Sequence, residues 1–151
     1  MKNNLFEKEN VDQVLTRINK LTPETKPLWG TMNASQMLAH CSVTYEYVYE
    51  TTYPKPKGIK KFLLKTFLKP FVVGEKPYKK NVRTGADFLK TSDHDFEIEK
   101  KKLCDYIIQT QELGEKHFDG KDSHSFGPLT VNEWNTMFYK HLDHHLSQFG
   151  V

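Results

Sequence analysis

The sequence contains few cysteines, no long apolar run and no clear alternation of apolar and polar residues. Its two cysteines, Cys41 and Cys104, form no metal-type pair such as CxxC. No stretch approaches the roughly 20 apolar residues that a membrane-spanning helix needs, and the first ten residues, MKNNLFEKEN, hold no apolar signal core. We therefore expect a cytoplasmic protein without a membrane span, in which both cysteines are reduced and buried for structural reasons.

The positive charge is concentrated in one part of the chain. The 151 residues suffice for one domain over 1–151. The composition, with 37% hydrophobic and 27% charged residues, excludes a fibrous or a disordered protein. Residues 54–85 carry ten Lys or Arg and one acidic residue, which gives them a net charge of +9. Since the whole chain has a net charge of +3, the remaining residues carry −6. This basic segment is interpreted first as a solvated cover, and otherwise as a surface for an anionic substrate, nucleic acid or acidic lipid. Because no DNA-reading motif is present, we expect no nucleic-acid partner.

Four segments show apolar residues at helical spacing. We predict helices over residues 10–21, 33–53, 92–116 and 130–149. Asn10, Asn33 and Thr130 are the expected N-caps, and Gln36 and Glu133 complete capping boxes at the second and fourth starts. Gly150 is expected to end the last helix.

The predicted elements favour an all-α, four-helix bundle. Residues 71–73 (FVV) are the only short strand-like run, and four helices without strands pack as a bundle. The connection over residues 54–91 is too long for a tight turn, so it can cross the bundle and let the second and third helices run parallel. Residues 58–69 within it are predicted to form a short amphipathic helix.

The last helix ends with histidines at metal-ligand spacing. His141 and His145 lie about 40° apart around the helix axis and about 6 Å apart along it. They continue an apolar stripe, and two imidazoles on a core-facing stripe need polar partners. A metal ion would satisfy both rings. His141 with His144 is a poorer alternative pair, and Asp143 lies on the opposite side of the helix.

His40 is the candidate for a third ligand. It lies on the inward face of the second helix with Met37 and Thr44. Three neutral imidazoles and one water form a known open site for zinc or a similar divalent ion, and the open position lowers the pKa of a bound water or thiol. The residues alone leave the alternative open, since paired helical histidines are often surface residues and a single buried histidine is often a hydrogen-bonded core residue.

Two stretches of the sequence resemble a known family. WGTMNASQMLAHC (29–41) and FGPLTVNEWNTMFYKHLDHHLSQFG (126–150) look like the DinB-like superfamily, and more closely an uncharacterised branch of it. The resemblance extends from about residue 10 to the end. It implies an up-down-down-up four-helix bundle and a metal held by His40, His141 and His145. The usual HHRGQ ending is HHLSQ here, which puts any role of that arginine in doubt, while Gln148 remains and could hydrogen-bond near the site.

The resemblance also guides the functional expectation. Characterised relatives include S-transferases that use bacillithiol or mycothiol, and a mycothiol-dependent isomerase. We expect an enzyme that uses a divalent ion, zinc or nickel, to activate water or a low-molecular-weight thiol for transfer or hydrolysis on a small substrate. The alternatives are a non-catalytic metal-binding or stress-related protein and a metal-free interaction module. The sequence identifies no catalytic base, and a homodimer is expected only because symmetric pairs are the commonest oligomers.

Other polar residues receive simpler interpretations. His124 is read as a loop histidine in preference to a residue at the mouth of a pocket. Two further histidines, His94 and His117, are expected to face solvent near the ends of the third helix. Three helical tyrosines are expected to pack with their hydroxyls at the surface: Tyr45, Tyr49 and Tyr139.

Overall fold

The computed structural model describes residues 3–151, and these are mostly helical. The helices are α1 (Lys8–Asn19), α2 (Ala34–Tyr49), α3 (Gly58–Leu63), α4 (Lys69–Val73), α5 (Phe96–Phe118) and α6 (Val131–Gln148). A π-helical turn (Leu64–Leu68) joins α3 to α4, and a 3₁₀ turn spans Ala86–Phe88. Within residues 3–151 the only sheet is an antiparallel pair, β1 (Asp122–Ser123) and β2 (Gly127–Pro128). The expectation of a helical protein is confirmed.

The four long helices share one cluster of buried apolar side chains. α2 lies along α5 and also contacts α6, while α1 packs on α5 and α6. α2 is buried almost all round from Ala34 to Glu46, so it occupies the centre of the domain. Aromatic rings fill the middle of the cluster, where Phe138 stacks against Tyr45 at 4.9 Å and Trp134 at 5.5 Å between centroids.

The two cysteines differ in their surroundings. Cys41 lies in the core, where burial raises the pKa of its thiol. Cys104 is only half-buried, so the expectation that both are buried is wrong for this residue. Both are free thiols.

Two helix starts follow the sequence signals. The side chain of Asn33 accepts a hydrogen bond from the Gln36 N–H, and the Gln36 side chain accepts one from the Asn33 N–H. Thr130 and Glu133 form the same reciprocal pair at α6. α6 ends at Gln148, one residue before the predicted end, and Gly150 follows with a φ of +76° that favours glycine.

Other predicted boundaries are wrong by two to four residues. α1 begins at Lys8 with Glu7 at the N-cap position, and the Asn10 side chain donates to Glu7 Oε2 instead of capping the helix. α2 ends at Tyr49, not at residue 53, since Glu50 is already extended with a ψ of 165°. α5 begins at Phe96, where Asp95 caps the Ile98 N–H at 2.9 Å.

Residues 71–73 are also corrected. They belong to α4 and form no strand. Pro70 supports this helical start, because its fixed φ suits the first turn and its missing N–H has no partner there. The helical part of the connection therefore spans residues 58–73, four residues beyond the predicted amphipathic helix.

The connection between α2 and α5 covers the histidine-bearing part of α6. α4 contacts α6, and the 3₁₀ turn contacts α2. The Lys140 ammonium donates to the carbonyl oxygens of Phe71 at 2.7 Å, Gly74 at 2.5 Å and Lys76 at 3.3 Å. The connection therefore forms a wall beside His40 on α2 and the second half of α6. In residues 3–151 no helix has both the length and the apolar character needed to span a membrane.

Candidate metal centre

Three histidines from two helices converge between α2 and α6. His40, His141 and His145 are 4%, 9% and 8% exposed, and one ring nitrogen from each lies within 4.8 Å of the others. The Nε2 atoms of His40 and His141 are 3.0 Å apart. The three residues that the sequence selects are thus brought together, and this buried group could hold one metal ion.

The opposite nitrogen of each ring is occupied by a different partner. His40 Nδ1 lies 2.8 Å from the carbonyl oxygen of Phe88, which can only accept a hydrogen bond. His141 Nδ1 lies 2.9 Å from Thr44 Oγ1, and His145 Nδ1 lies 2.8 Å from Gln148 Oε1. If each Nδ1 carries the proton, each Nε2 offers its lone pair to the centre. Metal-ligating histidines show this arrangement, because the outer hydrogen bond fixes the tautomer and the ring orientation.

The orientation of the Gln148 amide follows from its second hydrogen bond. Gln148 Nε2 donates to the carbonyl oxygen of Trp29 at 2.7 Å, so Oε1 faces His145 and accepts from it. Gly30 allows this close approach. It has a φ of +81°, and a Cβ at this position would lie 2.6 Å from Gln148 Nε2. The expectation that Gln148 hydrogen-bonds near the site is confirmed.

Burial favours the neutral form of the three imidazoles. It lowers the pKa of His40, places that of His141 well below its ordinary value, and lowers that of His145 to about 3 with help from His40. If the neutral rings of His40 and His141 both carry their proton on Nδ1, their Nε2 lone pairs face each other at 3.0 Å and repel. A divalent cation held by both nitrogens would remove that repulsion. Zn–N bonds of 2.0–2.1 Å in a tetrahedral site separate two ligand nitrogens by about 3.3 Å, which is close to the 3.0 Å between the Nε2 atoms of His40 and His141.

The histidines border a cavity of about 790 Å³. The connection between α2 and α5 forms much of its wall and contributes apolar side chains from Leu64, Leu68, Phe71 and Val72. Four basic residues also line it, and within residues 3–151 Asp87 is its only acidic one. The basic residues are Lys60, Lys79, Arg83 and Lys90. A small molecule that enters the cavity can therefore reach the histidines, and the side chains around it carry a net positive charge.

Several residues of this site carry no sequence signal of their own. Phe88 acts through its backbone carbonyl, which any residue possesses. Tyr47 donates its hydroxyl to Asp87 Oδ2 at 2.6 Å, and the His124 ring stacks on Tyr47 at 3.8 Å between centroids. Asp87 and Phe88 lie in the long connection, so no spacing rule links them to the histidine helices. Thr44 is the exception, because it follows His40 by one helical turn.

The remaining histidines lie outside the group of three. His144 contacts His145 and Trp29 edge-on and lines the cavity without joining the cluster. His124 is in a loop as expected, but it is only 9% exposed and lines the cavity, so the pocket interpretation that the sequence disfavoured is the better one. His117 is exposed. His94 is half-buried against Glu99 at 3.2 Å, which corrects the expectation that it faces solvent.

Asp143 and the helical tyrosines take no part in the histidine cluster. Asp143 pairs with Arg17 at 2.7 Å, as its predicted outward position implies. The Tyr45 hydroxyl is fully buried and has no hydrogen-bond partner within residues 3–151, so its expected surface position is wrong. The Tyr49 hydroxyl bonds to Thr110 Oγ1 at 2.7 Å.

Comparison with known proteins identifies the family and no individual relative. The search of curated proteins found no match, and the search of solved structures found none either. Residues 2–150 match the family described as "Protein of unknown function (DUF1569)". Since the match covers nearly the whole chain, this protein belongs to the DUF1569 family.

Proposed function

We propose that this chain is a divalent-metal-dependent enzyme that acts on a small molecule. His40, His141 and His145 hold the ion, and the reaction is transfer or hydrolysis by water or a low-molecular-weight thiol. One observation supports this most strongly: three buried ring nitrogens converge while the other nitrogen of each ring meets a separate partner. Purely structural core histidines would not need three ring nitrogens close to one point.

A divalent ion at this point supplies Lewis acidity, which lowers the pKa of a water or thiol that it binds. Three imidazoles suit zinc or nickel, and a tetrahedral ion would keep its fourth position for a ligand. The protein residues do the positioning. Phe88, Thr44 and Gln148 fix the rings, and the apolar wall of residues 64–72 limits access of bulk water.

The cavity favours an enzyme over a non-catalytic metal site. A purely structural ion needs four protein ligands and a closed surrounding, whereas the three histidines border a space of about 790 Å³. That volume suits a drug-sized or smaller ligand. Its four basic side chains favour a substrate or thiol that carries negative charge.

The same residues support the assignment to the DinB-like superfamily. We infer one domain over residues 1–151, with α1, α2, α5 and α6 as an up-down-down-up bundle. The long connection between α2 and α5 supports that order, because it is long enough to return the chain to the starting end. We expect a cytoplasmic protein, and a homodimer remains a prediction.

Metal content tests the proposal directly. The chain would be purified without an affinity tag and analysed by elemental mass spectrometry and X-ray absorption. We expect about one zinc or nickel per chain with three imidazole ligands and a fourth light-atom ligand. His145→Ala should lose the metal, while His117→Ala, which changes an exposed histidine, should retain it. A wild-type protein that takes up neither zinc nor nickel would rule out the metal centre.

A second experiment separates enzyme from metal carrier. Metal-loaded protein would be assayed with ester substrates and with electrophiles in the presence of low-molecular-weight thiols. We expect turnover that chelation abolishes and metal restores. If His145→Ala loses the metal and unfolds, and the loaded wild type turns over no substrate, a structural role of the ion is the better explanation.

A further inference from the structure

The outer side of the helical segment 58–73 is apolar although it faces solvent. Ile59 is 75% exposed, Phe62 61%, Leu63 46% and Phe67 73%. Their spacing of three, four and eight residues places them on one side of the helix. Isolated exposed apolar residues are ordinary, but four large neighbours on one helix face mark a binding surface. We call these four residues the apolar face.

The apolar face is not needed to close the cavity. The side chains of this segment that line the cavity come from other positions, including Leu64, Leu68 and Val72. Those residues already cover the histidines from the inner side of the helix. The apolar face therefore has no partner within residues 3–151, and its burial requires something outside the described chain.

Lysines flank the apolar face. Lys57, Lys61 and Lys65 alternate with it in sequence, whereas Lys60 lines the cavity, and residues 54–74 contain no acidic residue. None of the four forms a salt bridge within residues 3–151. Lys69 differs, because it pairs with Glu133 at 2.8 Å. The surface thus combines large apolar side chains with free positive charge.

We propose that this face docks on the surface of an anionic lipid bilayer. A helix that lies in a membrane interface inserts Phe, Leu and Ile between the acyl chains and headgroups and keeps its lysine ammonium groups at the phosphates. The apolar side chains and the lysines would then both have partners in the bilayer. The docked helix would place the cavity wall beside the membrane, because the inner side of the same helix borders the cavity.

The charges favour a bilayer over other occupants. A symmetric contact between two copies would bring the unpaired Lys57, Lys61 and Lys65 of each copy together, and like charges across an interface are unfavourable. Single-stranded nucleic acid stacks on aromatic rings, which leaves Ile59 and Leu63 without a partner. An anionic bilayer attracts the lysines and takes up all four apolar side chains.

Vesicle binding tests this docking, and it requires neither the metal nor a substrate. The full chain would be sedimented with phosphatidylcholine vesicles that contain or lack phosphatidylglycerol. We expect binding only to the anionic vesicles, and weaker binding as salt is added. Phe62→Ser with Phe67→Ser should weaken binding at least about tenfold. Lys57→Gln with Lys65→Gln should weaken it roughly fivefold for each charge removed.

Matched variants elsewhere control for exposure and charge. Ile98→Ser changes a 65% exposed residue on α5, and Lys20→Gln with Lys116→Gln removes two charges from exposed positions. Neither should alter vesicle binding. Thermal unfolding would confirm that all variants fold. The tryptophan emission added by Phe67→Trp should shift to the blue on anionic vesicles, whereas that added by Ile98→Trp should not.

Several outcomes would overturn the proposal. Wild-type protein that ignores anionic vesicles, or binds neutral ones equally well, contradicts it. If light scattering shows a dimer that Phe62→Ser with Phe67→Ser dissociates, and vesicles are not bound, the apolar face is an interface between two copies. Tight binding of single-stranded RNA without vesicle binding would assign the surface to nucleic acid.

Discussion

Replacing Gln148 with alanine tests whether the outer hydrogen bonds orient a metal site. Gln148→Ala removes the acceptor of His145 Nδ1 and the donor to the Trp29 carbonyl, which lie at 2.8 and 2.7 Å. Each net hydrogen bond contributes about 0.5–1.5 kcal/mol, so the metal-free protein should lose about 1–3 kcal/mol of unfolding free energy. Loss of an outer partner also weakens metal binding about 10–100-fold, or about 1.4–2.8 kcal/mol.

The chain offers a matched control at Gln36. Its Oε1 accepts from the Asn33 N–H at 3.0 Å, and its Nε2 donates to the Ser92 carbonyl at 3.2 Å. Gln36→Ala therefore removes the same two kinds of hydrogen bond without touching His145. Urea denaturation of the metal-free proteins gives the stability change, and competition with a chromophoric chelator gives the metal Kd. We expect both variants to lose stability and only Gln148→Ala to lose metal affinity.

The reasoning would be refuted by a metal Kd of Gln148→Ala equal to that of wild type. In that case Gln148 would only join the end of α6 to Trp29, and His145 would bind without an orienting partner. Equal weakening in Gln36→Ala and Gln148→Ala would also refute it, because metal affinity would then follow general stability.

Four further predictions concern the metal centre and the core. Gly30→Ala should weaken metal binding without changing a ligand, because the new Cβ would lie 2.6 Å from Gln148 Nε2 at a φ of +81°; an unchanged Kd would argue against the Gln148 contact. Tyr45→Phe should leave stability equal or raise it by about 1 kcal/mol, since it removes a buried hydroxyl without a partner in residues 3–151. By contrast, Tyr49→Phe should lower stability by about 1 kcal/mol, because it breaks a 2.7 Å bond to Thr110; denaturation curves compare the two. Chelation should lower the thermal midpoint, and zinc at 100 times its Kd should contribute about 2.7 kcal/mol to the loaded protein; identical melting with and without metal would contradict binding to the folded state.

Local signals in the sequence predicted the parts of the fold that local interactions control. The capping boxes at Asn33 and Thr130 satisfy backbone N–H groups within one turn, so four residues suffice to predict them. Boundaries were less accurate at the start of α5, which follows the Asp95 cap and begins at Phe96 instead of residue 92. The run 71–73 was misread because three apolar residues do not distinguish a strand from a short helix.

The histidine pair on α6 was predictable for the same reason. Residues four apart on a helix lie on one side of it, so the sequence alone places His141 beside His145 and continues the apolar stripe inward. The Gln148 interaction follows too, because it lies three residues after His145. His40 was assigned through its inward position and the family resemblance, since spacing cannot relate residues on two separate helices.

Sequence by itself therefore determined the four long helices, the capping boxes of α2 and α6 and which side of α6 carries the imidazoles, because each depends on contacts within about one helical turn. Only the tertiary structure decided that His40 meets His141 at 3.0 Å, that the Phe88 carbonyl orients His40, and that the cavity forms above them. These features depend on how α2, α6 and the long connection pack together. The path of such a connection is set by many weak long-range contacts, which leave no periodic pattern in the chain.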